Sequence, residues 1–189
     1  KKANRSLEVI VKNNPQLGEG VSLLSTIYTA DDKEPAAISV LKKGADDNPS
    51  NIPLRIKLAQ ILAKNADYAA SEKYLKQAIE IEPERYALQV ALSSFYASSN
   101  QVDEAETVLR NAIEQDPQDV QRYLVLVEML SSRVGVKEAE ETLLDFIQKN
   151  PGLHELKMAQ VKFYDKLGKR DELKAVLNKI IAEDEYSIE

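Results

Sequence analysis

Five of the seven prolines in this chain, Pro15, Pro49, Pro83, Pro117 and Pro151, stand in strict steps of 34 residues. Scattered prolines do not fall that way. A fixed period of this length means that one small supersecondary unit recurs along the chain. The wording around two of them repeats as well: "AIEIEPER" at 78–85 returns as "AIEQDPQD" at 112–119.

Setting the prolines in register aligns other positions. Eight residues before them stand Leu7, Leu41, Leu75, Leu109 and Leu143, and the next step lands on Leu177. Twelve before them stand Ala3, Ala37, Ser71, Ala105 and Ala139; five before them stand Ile10, Gly44, Ala78, Ala112 and Phe146. Small, then large four on, then small three on is one face of a helix. The small residues let a neighbouring helix come close and the leucine fills the space between. The first half of each unit has its own pattern: Leu24, Leu58, Leu92 and Leu126, then Tyr28, Leu62, Tyr96, Leu130 and Tyr164 four residues further on. Short turns such as "DDKEP", "KNADY", "SSNQV" and "LGKRD" separate the halves. Each unit therefore reads as two antiparallel helices of about 13 residues, a helical hairpin. Pro35 and Pro53 suit helix starts, where a missing N–H costs nothing, and the periodic proline closes the second helix.

Composition agrees with helices and excludes several classes of function. Apolar residues are 43% and charged residues 30%, with few glycines and no tryptophan, so the chain is globular. No window has the ~18 uninterrupted apolar residues of a membrane span. Zero cysteines exclude disulfides, thiolate zinc sites and a cysteine nucleophile. A net charge of −6 disfavours phosphate backbones and anionic lipid. The chain opens on Lys1, in the middle of a unit and without a leader, and is expected to be a piece of a longer protein.

These residues resemble the tetratricopeptide repeat family, whose unit is large–Leu–small–Tyr, then small–Leu–small, then Pro. The best copy is 86–119, with Leu92-Ser93-Tyr96, Ala105-Leu109-Ala112 and Pro117. The resemblance implies an all-α, right-handed α-solenoid of antiparallel helix hairpins, with about eleven helices. Its units would be the second helix of a truncated repeat at 1–17, full repeats at 18–51, 52–85, 86–119 and 120–153, and a degenerate or edge repeat at 154–187. That last copy departs most, with Gln160 for Leu, Leu173 for the small residue, Ile180 for Ala and Glu185 for Pro. The large residue expected near the start of the first helix is present only as Tyr123; Val21, Arg55, Gln89 and Lys157 hold the place elsewhere.

No constellation for catalysis is visible. His154 is the single histidine and reads as a solvated helix-start residue; Glu140-Glu141 and Asp171-Glu172 are adjacent on helices and face apart. The sequon at Asn4 falls in a predicted helix. A non-enzyme is expected, without cofactor or metal. The resemblance instead directs attention to the first helix of each repeat, which in this family lines a concave groove. Groove positions fall on Ser22, Ile56, Val90, Leu124 and Met158, then on Thr26, Gln60, Ser94, Glu128 and Lys162. A second rim includes Ala97-Ser98 and Ser131-Ser132. The apolar ladder Ile56, Val90, Leu124 and Met158, flanked by Ser94, Ser98, Glu128 and Ser131, is read as a seat for a partner's extended segment or helix, against the alternative that it packs on adjacent helices. Family members that clamp a C-terminal Glu-Glu-Val-Asp need Lys and Asn where this chain has Ser22 and Thr26, so that ligand is not expected.

The expected partner is a protein or peptide, a second copy of the chain included; neither nucleic acid nor direct membrane insertion is expected. A structural element of a bacterial envelope exopolysaccharide-export or secretion assembly is the alternative, on the likeness of "DEAE" and "KEAEETL" second helices. The sequence does not name the compartment; the bacterial periplasm is favoured, with the cytoplasm as the alternative. RNA binding of the pentatricopeptide kind is disfavoured by the period of 34 and the acidic balance.

Overall fold

A computed structural model describes residues 2–14 and 16–186, with side chains from Arg5 to Ala182 apart from residue 15. Pro15 and the side chains of Ala3, Asn4 and Glu185 lie outside the described residues. Eleven α-helices and no strand occur among the described residues: α1 (Lys2–Asn13), α2 (Gly18–Ala30), α3 (Glu34–Asp47), α4 (Ile52–Lys64), α5 (Tyr68–Ile81), α6 (Tyr86–Ser98), α7 (Val102–Gln115), α8 (Val120–Arg133), α9 (Val136–Lys149), α10 (His154–Lys166) and α11 (Arg170–Tyr186).

The prolines act as the sequence predicts. Helices α3, α5, α7 and α9 each stop two residues short of Pro49, Pro83, Pro117 and Pro151. A residue preceding proline is pushed out of the helical region, so the chain must turn there. Where that residue is asparagine it also closes the helix: Asn48 Nδ2 donates to the Gly44 carbonyl at 2.8 Å and Asn150 Nδ2 to the Phe146 carbonyl at 2.9 Å. At the other end, Asn51 and Asp67 accept from the amides of Leu54 and Ala70 and so cap α4 and α5.

The turns between first and second helices carry a second period of 34, one of backbone angle. Asp32, Ala66, Asn100 and Gly168 all have φ between 56° and 68°. This left-handed conformation reverses the chain in three residues. The next expected member is Val134, whose branched side chain is excluded from that region. There α8 runs on to Arg133, the link shrinks to Val134 and Gly135, and Gly135 takes up the reversal at φ 152°.

The chain forms two compact units, Lys1–Ser99 and Asn100–Glu189. In the first, α2 packs on α3 and α4 on α5, and successive hairpins meet through α1–α2, α3–α4 and α5–α6. Its core is Val11, Val21, Leu24, Ala37, Leu41, Ala45, Leu54, Leu58, Ile61 and Leu62, with a second cluster of Ile52, Ala78 and Leu88. The small positions are fully covered, as close helix approach requires: Ala37 and Ala78 have no exposed surface. Ser71 at such a place donates its hydroxyl to the Ala59 carbonyl of the facing helix at 2.8 Å.

In the second unit α8 packs on α9 and α10 on α11, and α7–α8, α9–α10 and α8–α10 also meet. Leu109, Ala112, Leu126, Leu130, Ala139, Leu143 and Leu156 are buried. Phe146 departs from the small residue expected at its place. It is buried edge-on against Tyr123 at 4.8 Å, with the Arg110 guanidinium 5.9 Å over its ring. The last hairpin, α10–α11, is thinly packed: Leu173, Val176, Leu177 and Ile180 of α11 are only partly covered, and Ile181 is exposed.

The varied position near the start of the first helices has a shared job in three of the repeats. Arg55 Nη1 donates to the Asn48 carbonyl at 3.2 Å, Gln89 Nε2 to the Pro83 carbonyl at 3.2 Å, and Tyr123 OH to the Pro117 carbonyl at 3.0 Å. All three are buried. In these three repeats a long donor reaches the carbonyl of the preceding turn and gives it a partner; in the first repeat Val21 fills the same place as an apolar core residue instead.

Tyrosines tie hairpins together at alternate repeats. Tyr28, Tyr96 and Tyr164 donate to the carboxylates of Glu8, Glu72 and Glu140 at 3.0, 2.7 and 2.9 Å. Lys169 also donates to Glu140, at 2.6 Å. The Lys169 and Tyr164 bonds hold the Glu140 carboxyl below its ordinary value of 4.5, against the opposing effect of burial. A depressed carboxylate contributes stability above its unfolded pKa and loses it as pH falls through the folded value. Glu140→Gln is therefore expected to be less stable than the parent chain at pH 7, with the gap closing below about pH 4. Urea titrations at pH 7 and pH 3.5 check this; a gap that is constant with pH sinks it.

Candidate partner-binding face

The partner seat expected from sequence falls on the exposed side of the first helices, and the two units treat that side differently. In the unit Lys1–Ser99 the space between α2 and α4 is filled by Lys57. Its ammonium donates to the Ser22 carbonyl at 2.7 Å, Ser22 Oγ at 2.9 Å and Thr26 Oγ1 at 2.6 Å. Three acceptors use all three of its protons. Burial lowers the Lys57 pKa from its ordinary value. Ser22 and Thr26, two of the groove positions, are thus engaged internally.

Of the other expected residues in this unit, Ile56 and Val90 are half-buried, and Ile56 packs against the cluster of Ile52, Ala78 and Leu88. Ser94 and Ser98 are exposed, and Ser98 Oγ donates to the Phe95 carbonyl at 2.8 Å. Ala97, expected to leave room on the rim, is itself buried.

In the unit Asn100–Glu189 a cavity of 360 Å³ opens between α8 and α10. Val127 and Leu143 form its buried floor. Leu124, Ala159, Phe163 and Leu167 are its half-covered walls, and Glu128, Ser131, Ser132, Lys162 and Lys166 its rim. The structure therefore brings Leu124, Glu128 and Ser131 together. Met158 does not line this cavity; it is 46% exposed on α10. Phe163, Leu167 and Ala159 were not singled out from sequence.

The repeat itself explains why one space is closed and the other open. Counting three periods on from Lys57 reaches Ala159, and the same count takes Ser22 to Leu124 and Thr26 to Glu128. A methyl group at 159 replaces a side chain long enough to cross the gap, and Ser131 is small as well. Reading this from sequence required knowing which side chains meet across neighbouring repeats.

Among the described residues no cluster of His, Cys, Asp and Glu could hold a metal ion, and no helix is long and apolar enough to cross a membrane. His154 is exposed.

Stacked α-hairpins around small–large–small helix faces define a helical-repeat protein. Residues 62–130 match the tetratricopeptide repeat family, and the chain has an all-α helical-repeat fold of solenoid class similar to that family's. None of the curated proteins matches it by sequence. Solved structures with a similar fold include a tetratricopeptide repeat protein from Parabacteroides merdae ATCC 43184, at 18% identity and a TM-score of 0.59, covering 96% of this chain and 72% of that one. Another is MamA, at 18% identity and a TM-score of 0.56, covering 81% and 90%. A third is YrrB, described as a tetratricopeptide-repeat protein with an unusual peptide-binding site, at 14% identity and a TM-score of 0.51, covering 93% and 91%.

Proposed function

We propose that this chain is a non-catalytic interaction scaffold, and that the gap between α8 and α10 seats an apolar anchor of a partner polypeptide. The observation that carries this reading is the gap's construction: an apolar floor and walls sunk below a rim of hydroxyls and charges. Anchors that enter such a recess and exclude water dominate binding energy. The peptide-binding site named for YrrB supports the same use of this fold. Leu124, Glu128 and Ser131 contribute directly. Met158 supplies apolar surface outside the recess, and Ile56, Val90, Ser94 and Ser98 of the other unit form a separate, shallower contact.

A photo-crosslinking amino acid at Ser132, on the rim, should capture the partner in cells, whereas one at Gln148 on α9 should not. Leu124→Asp should weaken the captured complex by about 2 kcal/mol, roughly thirtyfold, with helicity unchanged by circular dichroism. Intact folding with intact capture would place the partner elsewhere. Should Leu124→Asp unfold, Leu124 belongs to the core, and Ala159→Lys decides the matter by filling the recess instead.

A further inference from the structure

We infer that the gap between α8 and α10 selects an acidic–apolar segment, one in which a large apolar residue is flanked by carboxylates. The inference rests on the reading of this gap as the partner seat and names the chemistry of what fits it.

Lys162 and Lys166 lie one helical turn apart on α10, so both ammonium groups stand on the same wall of the recess. Both are exposed, and neither has an ion pair among the described residues. Glu128 faces them from α8 as the one carboxylate of the lining. Two lysines against one glutamate leave the rim at +1, on a chain whose net charge is −6. An acidic segment is repelled by the chain as a whole and finds attraction at this rim, which turns charge into a choice of position. A basic segment meets two unpaired ammoniums beside the anchor and is disfavoured there.

The size of the recess limits the anchor. At 360 Å³ it lies at the low end of binding pockets, room for one or two side chains. Ser131 and Ser132 add hydroxyls that can bond to the segment's backbone. The internal precedent is Lys57, which crosses the corresponding gap of the other unit. Ala159 is therefore the residue on which the opening depends, while Lys162 and Lys166 set the sign of what enters.

Three fluorescently labelled twelve-residue peptides test this against the whole 189-residue chain by fluorescence anisotropy. One combines leucine with aspartate, one leucine with lysine, and one serine with aspartate. The leucine–aspartate peptide is expected to bind and the other two at least tenfold more weakly. Reversing both lysines (Lys162→Glu with Lys166→Glu) should weaken that peptide at least tenfold and strengthen the leucine–lysine one. Ala159→Lys should abolish binding of every leucine peptide while circular dichroism stays unchanged. No binding of the leucine–aspartate peptide overturns the inference, as does equal binding of both leucine peptides. In the latter case, loss of both in Ala159→Lys leaves the seat standing and removes only its acidic preference. Binding indifferent to Ala159→Lys overturns the seat as well.

Discussion

Gly44→Leu is expected to destabilise the Lys1–Ser99 unit by about 3 kcal/mol, the upper end of what overpacking a core produces. A β-carbon at Gly44 would lie 2.5 Å from Val21 Cγ1 and 3.2 Å from Val21 Cβ. Val21 is 1% exposed and branched at the β-carbon, so it has no free direction in which to retreat. Replacing a mid-helix glycine normally returns up to about 1 kcal/mol in helix propensity, which offsets only part of the clash. Val21→Ala in the same chain should recover part of the loss by making room, and that non-additivity is the signature of direct contact. Urea unfolding of the two single variants and the double variant measures it. A midpoint for Gly44→Leu equal to that of the parent chain would mean that α2 and α3 do not approach this closely.

Ala78→Asp should be comparably severe, more than about 3 kcal/mol, because it introduces a charge among Ile52 and Leu88 with no exposed surface. Ala78→Leu, which adds only volume, should cost about 1–3 kcal/mol. Damage in a repeat array concentrates at the altered interfaces. Hydrogen exchange is thus expected to rise first in α4, α5 and α6, with amides of α8 to α10 keeping their protection. Uniform loss of protection across the chain would contradict this, and an Ala78→Asp variant that melts like the parent would show the register to be wrong.

The helices, their ends and the covered small positions were legible because each depends on residues close together in sequence. Proline ends a helix locally, and a small–large–small face is read along one helix. The role shared by Arg55, Gln89 and Tyr123 was not legible, since three unlike side chains are united only by the carbonyl they reach. Phe146 is large where Ala78 and Ala112 are small, and the neighbours that accommodate it, Tyr123 and Arg110, lie on other helices. The candidate seat was half legible. Leu124, Glu128 and Ser131 follow from the groove register, but the recess depends on Ala159, whose significance lies in its contrast with Lys57. That comparison involves side chains of neighbouring repeats, and Lys57 meets Ser22 across 35 residues of chain.

The left-handed turns bear on how the chain finds its fold. Within each unit the hairpins close through contacts only a few tens of residues apart, so assembly there draws on short-range encounters rather than distant pairing. The turns do not start equal in the unfolded chain. Gly168 visits the required backbone region freely, asparagine and aspartate visit it at modest strain, and alanine seldom does. The reversal at Ala66 is therefore the one its own residue favours least, and α4 and α5 must hold it closed through their mutual packing.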